Sequence, residues 1–545
     1  MTKFLTATVS ALALAALAAP ASAQHHQHMP GMQMPQPAKK PAAKKKAVAT
    51  KKATSRKASK KPAVKKPAAK AKPLEAEDPH ADHVMPMQQA PAAGPESAQH
   101  EHVAAPAATE PPTADQSQTD HSQMDHSQMG HGSAPASTGR SEMDHGGMAA
   151  AEHAGHGMGG AFGPYPMTRE SSGTAWQPDA SEHEGLMITS GGWDLMAHGV
   201  VNLIYDHQSD RRGDDKLFAA GMLMGMARRP IGDGTLQLKA MLSPDPLMGK
   251  RGYPLLLAAG ETANGVDRLI DRQHPHDFFM ELSGSVSQNI GPTSSLFLYA
   301  GLPGEPAFGP PAFMHREAIM DSPEAPISHH WLDSTHISFG VLTAGVVLDR
   351  VKLEVSRFNG REPDQHRWNI ETGPLDSTAV RVSWNPTRAL SLQASWGRFE
   401  DLEQLEPGVD QKRWSASALY AREIAPGWKL AGTLAWGRKT IDHHGAAMKD
   451  DAYVAEAALK HGGWTVFGRG ELTENRELLA EDEHGEAFKV GKMSLGAVRD
   501  FRVAEHLSLG AGGLFSLNFV PDGLAPRYGG HNPVGAMGFV RVKLH

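Results

Sequence analysis

A broken repeat of histidine and methionine, with the unit Asp-His-x-x-Met, occupies the N-terminal part of this 545-residue chain. Copies of the unit stand at 120–124, 125–129 and 144–148. Methionine offers a soft thioether ligand and histidine a borderline one, so together they suit copper or silver rather than magnesium or calcium. The alternative is a polar spacer without ligands. We predict a copper ion, as Cu(I) or Cu(II), or a silver ion, bound by the tail at His121, Met124, His126, Met129, His131, His145, Met148, His153, His156 and Met158.

A second group of histidines lies in the middle of the chain. Some follow one another closely, as in His274-Pro-His276 and His329-His330. Imidazole binds copper and zinc, so a metal site is one explanation for the group. The other is a hydrogen-bonded loop that narrows a pore, with its imidazoles held by backbone groups and carboxylates. The candidate metal ligands are His274, His276, His315, His329, His330 and His336.

The elements that must position these histidines are short alternating strands. From Trp428 to Trp436 every second residue is apolar, with a tryptophan at each end, while the residues between are small or polar. Successive strand side chains point to opposite faces, so one face is apolar and the other hydrophilic. A transmembrane barrel strand has this pattern, with lipid outside and a polar lumen inside. We therefore predict an all-β fold, a transmembrane antiparallel β-barrel of about 16 strands; a soluble β-sandwich is the alternative.

The predicted strands and their connections show a further asymmetry. Long loops are expected at about 245–276, 303–334, 359–375 and 474–488, with short turns between them. Membrane barrels have short periplasmic turns and longer outer loops. The strands are predicted near 193–206, 215–228, 235–244, 277–289, 294–302, 335–347, 350–358, 376–385, 389–399, 411–422, 427–438, 450–461, 463–473, 489–502, 505–517 and 533–545.

Alternation also predicts which side chains face lipid. Val380, Val382 and Trp384 would face lipid, while Arg381 and Ser383 would face the lumen. The predicted lumen charges either line a water channel or pair into a network that closes it. They are Lys352, Glu354, Arg381, Lys429, Glu456, Arg469, Glu471 and Arg541.

His336 and Ser338 raise the question of catalysis, because an imidazole and a hydroxyl on one strand face also occur in the outer-membrane phospholipase family. That activity needs the pair to face lipid. Here Ile337, Phe339 and Val341 take the predicted lipid face of strand 335–347, so the pair points inward. The chain also has no Gly-x-Ser-x-Gly motif with a supporting helix pattern. We expect no enzymatic activity and no catalytic residue.

The N-terminal third of the chain has the composition of an export signal followed by a disordered tail. Residues 1–23 have the charged start, short apolar core and Ala-x-Ala site of a secretory signal peptide. Residues 24–185 are poor in aromatic and branched side chains, which predicts disorder. Within them, 39–72 is rich in lysine and serves either as a spacer or as a tether to anionic envelope polymers or lipid headgroups. The barrel would span 186–545, and the absence of cysteine excludes disulfides and thiolate metal sites.

The Asp-His-x-x-Met copies, and the order of signal, tail and barrel, resemble the copper-resistance protein B family of bacterial outer-membrane barrels. The barrel sequence and the lysine block depart from that family, so the barrel looks like a sister family. The resemblance implies copper or silver resistance and homeostasis in the envelope, with metal ions, outer-membrane lipid and other copper-resistance proteins as partners. The barrel pattern predicts an outer-membrane protein. The tail leaves from the N-terminus of the first strand, which places it in the periplasm if both termini are periplasmic; export argues against nucleic acid. The alternatives are a general porin-like channel with a spacer tail and, third, an outer-membrane phospholipase.

Overall fold

The computed structural model of the protein describes residues 159–182, 184–443, 446–480 and 485–545. Strands dominate them, as the period-two alternation of side chains predicts. In chain order the strands are β1 (Leu186–Ser190), β2 (Trp193–Gln208), β3 (Asp215–Ile231), β4 (Gly234–Leu242), β5 (Tyr253–Thr262), β6 (Arg268–Gln273), β7 (Phe279–Gly291), β8 (Ser294–Gly301), β9 (Val341–Leu348), β10 (Val351–Phe358), β11 (Ser377–Thr387), β12 (Leu390–Phe399), β13 (Gln411–Ala425), β14 (Trp428–His443), β15 (Ala446–His461), β16 (Trp464–Asn475), β17 (Phe488–Ala504), β18 (Leu507–Phe519) and β19 (Val534–Leu544).

Short helical turns lie in the connections. None of the helices in the described part of the chain is long and apolar enough to cross a membrane. The turns are α1 (His329–Leu332), α2 (Ala525–Tyr528) and the 3-10 turns Met167–Arg169, Asp245–Met248, Phe313–His315 and Ser334–His336.

Sixteen of the described strands form one closed antiparallel barrel. The wall runs from β2 through β3 and β4 to β7 and on to β19, which pairs back with β2. Closure leaves the sheet without an edge. The short β1 forms a hairpin with β2, and β5 and β6 form a separate hairpin inside the connection between β4 and β7. The predicted sixteen-stranded barrel is confirmed.

The two ends of the barrel differ. Two-residue turns join strands at one end, such as 349–350 between β9 and β10 and 462–463 between β15 and β16. Both glycines at 462–463 have positive φ, of 54° and 83°, which the tight turn requires. Long connections leave the opposite end, among them 243–278, 302–340 and 359–376. We call these the short-turn end and the long-loop end.

The side-chain faces of the strands follow the predicted alternation. Val380, Val382 and Trp384 are 40%, 47% and 48% exposed on the outside, whereas Arg381 and Ser383 are each only 1% exposed inside the lumen. An apolar exterior around a polar interior is the arrangement of a barrel surrounded by lipid.

The predicted lumen charges pair with one another and with the segments that fill the lumen. Arg381 Nε donates to Glu354 Oε2 at 3.0 Å, and Arg469 Nε donates to Glu456 Oε1 at 3.2 Å. Lys429, near the short-turn end, pairs with Glu182 of the N-terminal segment. The predicted alternatives were charges that line a water channel and charges that pair into a network. These contacts are those of a paired network.

The N-terminal segment 159–182 packs inside the barrel, so the prediction of disorder for 24–185 was wrong for this part. Phe162 and Trp176 are buried, and Asn385 Nδ2 on β11 donates to the carbonyl of residue 177 at 2.8 Å. These aromatic side chains supply apolar area that can be buried. The prediction missed them because it used the average composition of the whole tail. The predicted signal peptide and the rest of the tail lie outside the described residues.

The strand predicted at 335–347 starts only at Val341. Ile337, Phe339 and Val341 are buried inside the barrel rather than facing lipid, at 4%, 1% and 1% exposure. Alternation misled here because a buried apolar cluster and a lipid face produce the same pattern of apolar residues.

Candidate metal centre in the barrel lumen

The connection between β8 and β9 (302–340) turns back into the lumen and is fastened to the barrel wall. Arg316 donates to both carboxylate oxygens of Glu456 on β15, at 2.8 and 2.7 Å. Ser328 Oγ donates to Glu471 Oε1 on β16 at 2.7 Å. These buried contacts hold α1 and the turn after it against the inner wall.

The connection between β4 and β7 (243–278) enters the lumen from the neighbouring side. Its hairpin β5–β6 buries Leu255, Leu256 and Leu257 completely or nearly so. Asp245 anchors its start, because Asp245 Oδ1 accepts from the backbone N–H of Gly221 on β3 at 3.1 Å. The end of the connection then faces α1.

Three predicted ligands, one from this connection and two from the other, meet in the lumen. One ring nitrogen from each of His276, His329 and His336 lies within 4.8 Å of the others. The ring centroid of His336 is 5.1 Å from that of His276 and 5.2 Å from that of His329. All three Nε2 atoms are buried and have no hydrogen-bond partner. We call these residues the histidine site.

The other ring nitrogen of each histidine is held by an acceptor. His276 Nδ1 lies 2.9 Å from Asp245 Oδ2, and His329 Nδ1 lies 2.8 Å from Asp333 Oδ1. His336 Nδ1 lies 2.7 Å from the backbone carbonyl of Asp333. Because carboxylate and carbonyl oxygens only accept, each Nδ1 carries the donated hydrogen, and in a neutral imidazole Nε2 then keeps its lone pair. Metal-binding histidines have this arrangement, in which the acceptor fixes the tautomer and orients the ring.

The electrostatics favour the neutral form of His329 and His336. Burial, together with the nearby His276 and His329, holds the pKa of His336 well below its usual value. Burial also lowers the pKa of His329, against the opposing effect of Asp333. Burial disfavours the charged form of Asp333 too, yet Arg316 and His329 keep the pKa of that carboxyl below its usual range. Neutral imidazole is the form that binds metal ions.

Three imidazoles suit copper or zinc and leave a further coordination position open. Nitrogens bound at about 2.0–2.1 Å to one tetrahedral ion lie about 3.4 Å apart. The separations of up to 4.8 Å in the histidine site must therefore contract when an ion binds, and the two loop segments that carry the rings would draw together.

Two other predicted ligands are taken by carboxylates, as the second explanation for these histidines anticipated. His274 Nε2 lies 3.0 Å from Glu261 Oε1, and His330 Nδ1 lies 3.1 Å from Glu362 Oε1. Burial lowers the pKa of His274 to about 4 in spite of Glu261. The sixth residue, His315, lies outside the histidine site.

Sequence reasoning missed three features of this region. His198 lies on β2, directly opposite Met224 on β3, and its ring centroid is 6.5 Å from that of His315. Asp245 was not selected as a partner of His276. The methionines of β3 were not selected either, although the alternation in Met-x-Met-x-Met at 222–226 places them on one strand face. The predicted tail ligands, from His121 to Met158, lie outside the described residues.

The pair considered for catalysis points inward, as predicted, but lies in the loop before β9. Ser338 Oγ donates to the carbonyl of Thr335 at 3.1 Å, and both Ser338 and His336 are 4% exposed. Their side chains are therefore turned away from lipid.

The closed sixteen-stranded wall carries an apolar outer face around a polar lumen. The chain has the fold of an outer-membrane β-barrel. Similar solved structures include OmpT of Vibrio cholerae, which is 8% identical with a TM-score of 0.39 over 66% of this chain and 100% of that one. An anion-selective porin from Comamonas acidovorans is 14% identical (TM-score 0.38, 65% and 100% covered). Salmonella typhi OmpF in complex with daunomycin is 11% identical (TM-score 0.42, 66% and 100% covered). No family model and no curated protein matches the chain, so membership of the copper-resistance protein B family is not supported.

Proposed function

We propose that this outer-membrane barrel binds a copper ion in its lumen and serves metal resistance or homeostasis in the cell envelope. The observation that carries the proposal is that one ring nitrogen from each of three buried histidines lies within 4.8 Å of the others, while all three Nε2 atoms lack a partner and each Nδ1 is already held. An ordinary packed loop has no need to bring three unsatisfied acceptors together, because each buried polar atom without a partner costs free energy.

Copper is favoured over zinc by the surroundings of the site. Methionines such as Met314 and Met320 line the same cavity as His276, and thioether ligands suit Cu(I), whereas zinc gains little from them. The predicted His/Met tail has the same ligand chemistry. It would collect the ion and deliver it to the barrel.

A periplasmic position for the tail is supported by the path of the segment that follows it. The carbonyl of Gly159 accepts from Arg228 at 3.3 Å, and Arg228 lies close to the short-turn end of β3. Short turns are periplasmic in bacterial outer-membrane barrels. The tail would therefore meet the barrel on that side.

The test uses full-length protein in detergent, titrated first with Co(II), which absorbs visible light strongly in a four-coordinate site, and then with Cu(II). We expect the cobalt band in the native protein, its loss in His329→Ala and His336→Ala, and its displacement by copper. His366→Ala is the control, because His366 is exposed in the connection between β10 and β11. A native protein without the band, or a His336→Ala variant that keeps it, would refute the lumen site.

A porin-like channel is the second candidate. The observations that favour it are the sixteen-stranded closed wall and the folding of connection 302–340 into the lumen. Planar-bilayer recordings separate the two candidates. Steady conductance of ions in the metal-free native protein would favour a channel, and its absence would favour the metal-binding barrel.

A further inference from the structure

Methionine side chains form a cluster inside the barrel, close to the histidine site. It contains nine buried residues, of which seven are methionine. Met314 packs against it. We call it the methionine cluster, and its members are Met167, Met196, Met222, Met224, Met226, Met241, Met280, Ile337 and Phe339.

Packing alone does not account for this composition. The largest buried cluster of the described residues holds 22 members, and only Met537 among them is a methionine. Leucine, isoleucine, valine and phenylalanine fill that cluster, so the same barrel uses ordinary apolar side chains where it needs only to exclude water. What methionine adds to such packing is a polarizable thioether that can bind soft metal ions.

The strand register brings thioethers of neighbouring strands to the same level. Met226 on β3 lies directly opposite Met196 on β2. Met224 lies opposite His198 on one side and Met241 of β4 on the other. Side chains directly opposite on antiparallel strands have Cβ atoms about 4.5–5.5 Å apart. Soft ligands therefore follow one another along the inner wall.

Two cavities that share lining residues lie beside this line of ligands, and one of them borders the histidine site. A cavity of about 60 Å³ is lined by His276 together with Met222, Met314 and Met320. A second, of about 80 Å³, has the same three methionines in its lining and also reaches Met224, His198 and His315. Each exceeds the roughly 10–15 Å³ that a water molecule needs, so each has room for an ion.

The second cavity extends toward the short-turn end. Its lining includes Glu182 of the N-terminal segment, Glu184 just before β1 and Lys543 near the end of β19. Glu184 pairs with Lys543 at 2.8 Å, at the rim of the barrel. The cavity mouth therefore carries paired charges, because Glu182 likewise pairs with Lys429.

We propose that the methionine cluster is a thioether site for Cu(I) or Ag(I), and that the ion moves along it between the short-turn end and the histidine site. Each step exchanges one thioether for the next and leaves the oxidation state of the ion unchanged. The route rests on the proposed function, since it leads to the histidine site. The proposal of the thioether site is supported independently by the composition of the methionine cluster and by the strand register that aligns its residues.

The experiment labels the methionine methyl groups of the full-length protein with carbon-13 and adds Ag(I), which is stable in its oxidation state. We expect the NMR signals of Met222, Met224 and Met226 to shift until the site is saturated, and that of Met537 to stay in place. Single Met→Leu variants assign the signals. The proposal is overturned if the cluster signals move no more than the signal of Met537, or if only tail methionines respond.

The triple variant Met222→Leu, Met224→Leu and Met226→Leu tests the route by binding. Leucine nearly conserves the volume of methionine, so packing is retained, and Met537→Leu is the matched control for a buried methionine. We expect the triple variant to bind at least one Ag(I) fewer than the control while its cobalt band at the histidine site is unchanged. Equal silver binding would mean that the methionines only pack. If the triple variant does not fold, Met224→Leu alone is compared with Met537→Leu.

These measurements separate the two proposals. If the native protein shows no cobalt band but its cluster signals shift with Ag(I), the proposal of the histidine site is refuted and that of the thioether site is retained. If the cobalt band is present but the cluster signals do not shift, metal binding at the histidine site is retained and the proposed route along the methionines is refuted.

Discussion

His329 donates from Nδ1 to Asp333 Oδ1 across 2.8 Å, one helical turn along the chain. Asp333 also accepts from His336 through its backbone carbonyl and pairs with Arg316 at 2.5 Å. A single residue thus orients two of the three imidazoles. Because Arg316 is bound in turn to Glu456 on β15, the histidine site is fixed to the barrel wall and does not depend on the loop alone.

The first prediction concerns this carboxylate. D333N removes the negative charge that orients His329 and that balances Arg316. We expect the affinity for Co(II) and Cu(II) to fall roughly 10–100-fold, as when an outer partner of a metal-bound histidine is lost. The titration described above measures it.

D451N provides the control for this change. Asp451 pairs with Arg438 at 2.7 Å on the outer face of the wall, so its charge is lost without any effect on the histidine site. An unchanged affinity in D333N would show that Asp333 serves only the fold. D333E, which keeps the charge, should recover part of the affinity.

The second prediction concerns the segment 159–182, which fills the short-turn half of the lumen. Arg381 Nη2 donates to Thr174 Oγ1 at 2.9 Å, and Lys352 donates to the carbonyl of the same threonine. Deletion of 159–182 removes these contacts and exposes buried lumen charges to water. We expect a larger single-channel conductance in planar bilayers than in the native protein. Deletion of an equal length of tail, at 90–113, should leave the conductance unchanged; equal conductance in both variants would mean that other loops close the lumen.

The barrel strands could be predicted because lipid and lumen impose a strict period of two. β11 shows it from Ser377 to Asn385 and β14 from Ala431 to Asp442, with Trp384 and Trp436 on the lipid-facing side. The two-residue turn at 462–463 could be recognised from its two glycines. The period could not distinguish an apolar stretch that contacts lipid from one that lies inside the lumen. Residues 335–340 were assigned to a strand for that reason.

The histidine site could be predicted only as a set of residue types. His276 and His336 are 60 positions apart (336 − 276), and they meet because two irregular connections fold into the same lumen. Contacts of that kind follow no sequence period. The sequence therefore identified six candidates, of which His276, His329 and His336 converge, but it did not distinguish them from His274 and His330, which face carboxylates.

The third prediction is a pH dependence of stability. Burial lowers the pKa of His274 from the ordinary 6.5 to about 4. Between these two pH values the imidazole is therefore protonated in the unfolded chain but not in the folded protein. The contribution of His274 to the free energy of unfolding is then fully present above about pH 6.5 and is lost as the pH falls toward about 4. H274Q cannot take up this proton, and its thermal unfolding temperature in detergent should fall less over that interval.

H366Q is the control for the pH experiment, since His366 is exposed and its replacement should leave the native pH dependence in place. The interpretation is wrong if H274Q and the native protein lose stability in parallel between pH 7 and pH 4.

The fourth prediction tests whether the outer face meets hydrocarbon. Leu434 is 64% exposed near the middle of β14, and Ile424 is 52% exposed near the short-turn end of β13. An arginine at the bilayer midplane costs about 2–4 kcal/mol and one near the interface about 0–1 kcal/mol. L434R should therefore lower the free energy of unfolding in phospholipid bilayers by more than I424R does. Equal costs would mean that the two positions meet the same solvent, and this outer surface would then not be a membrane-spanning one.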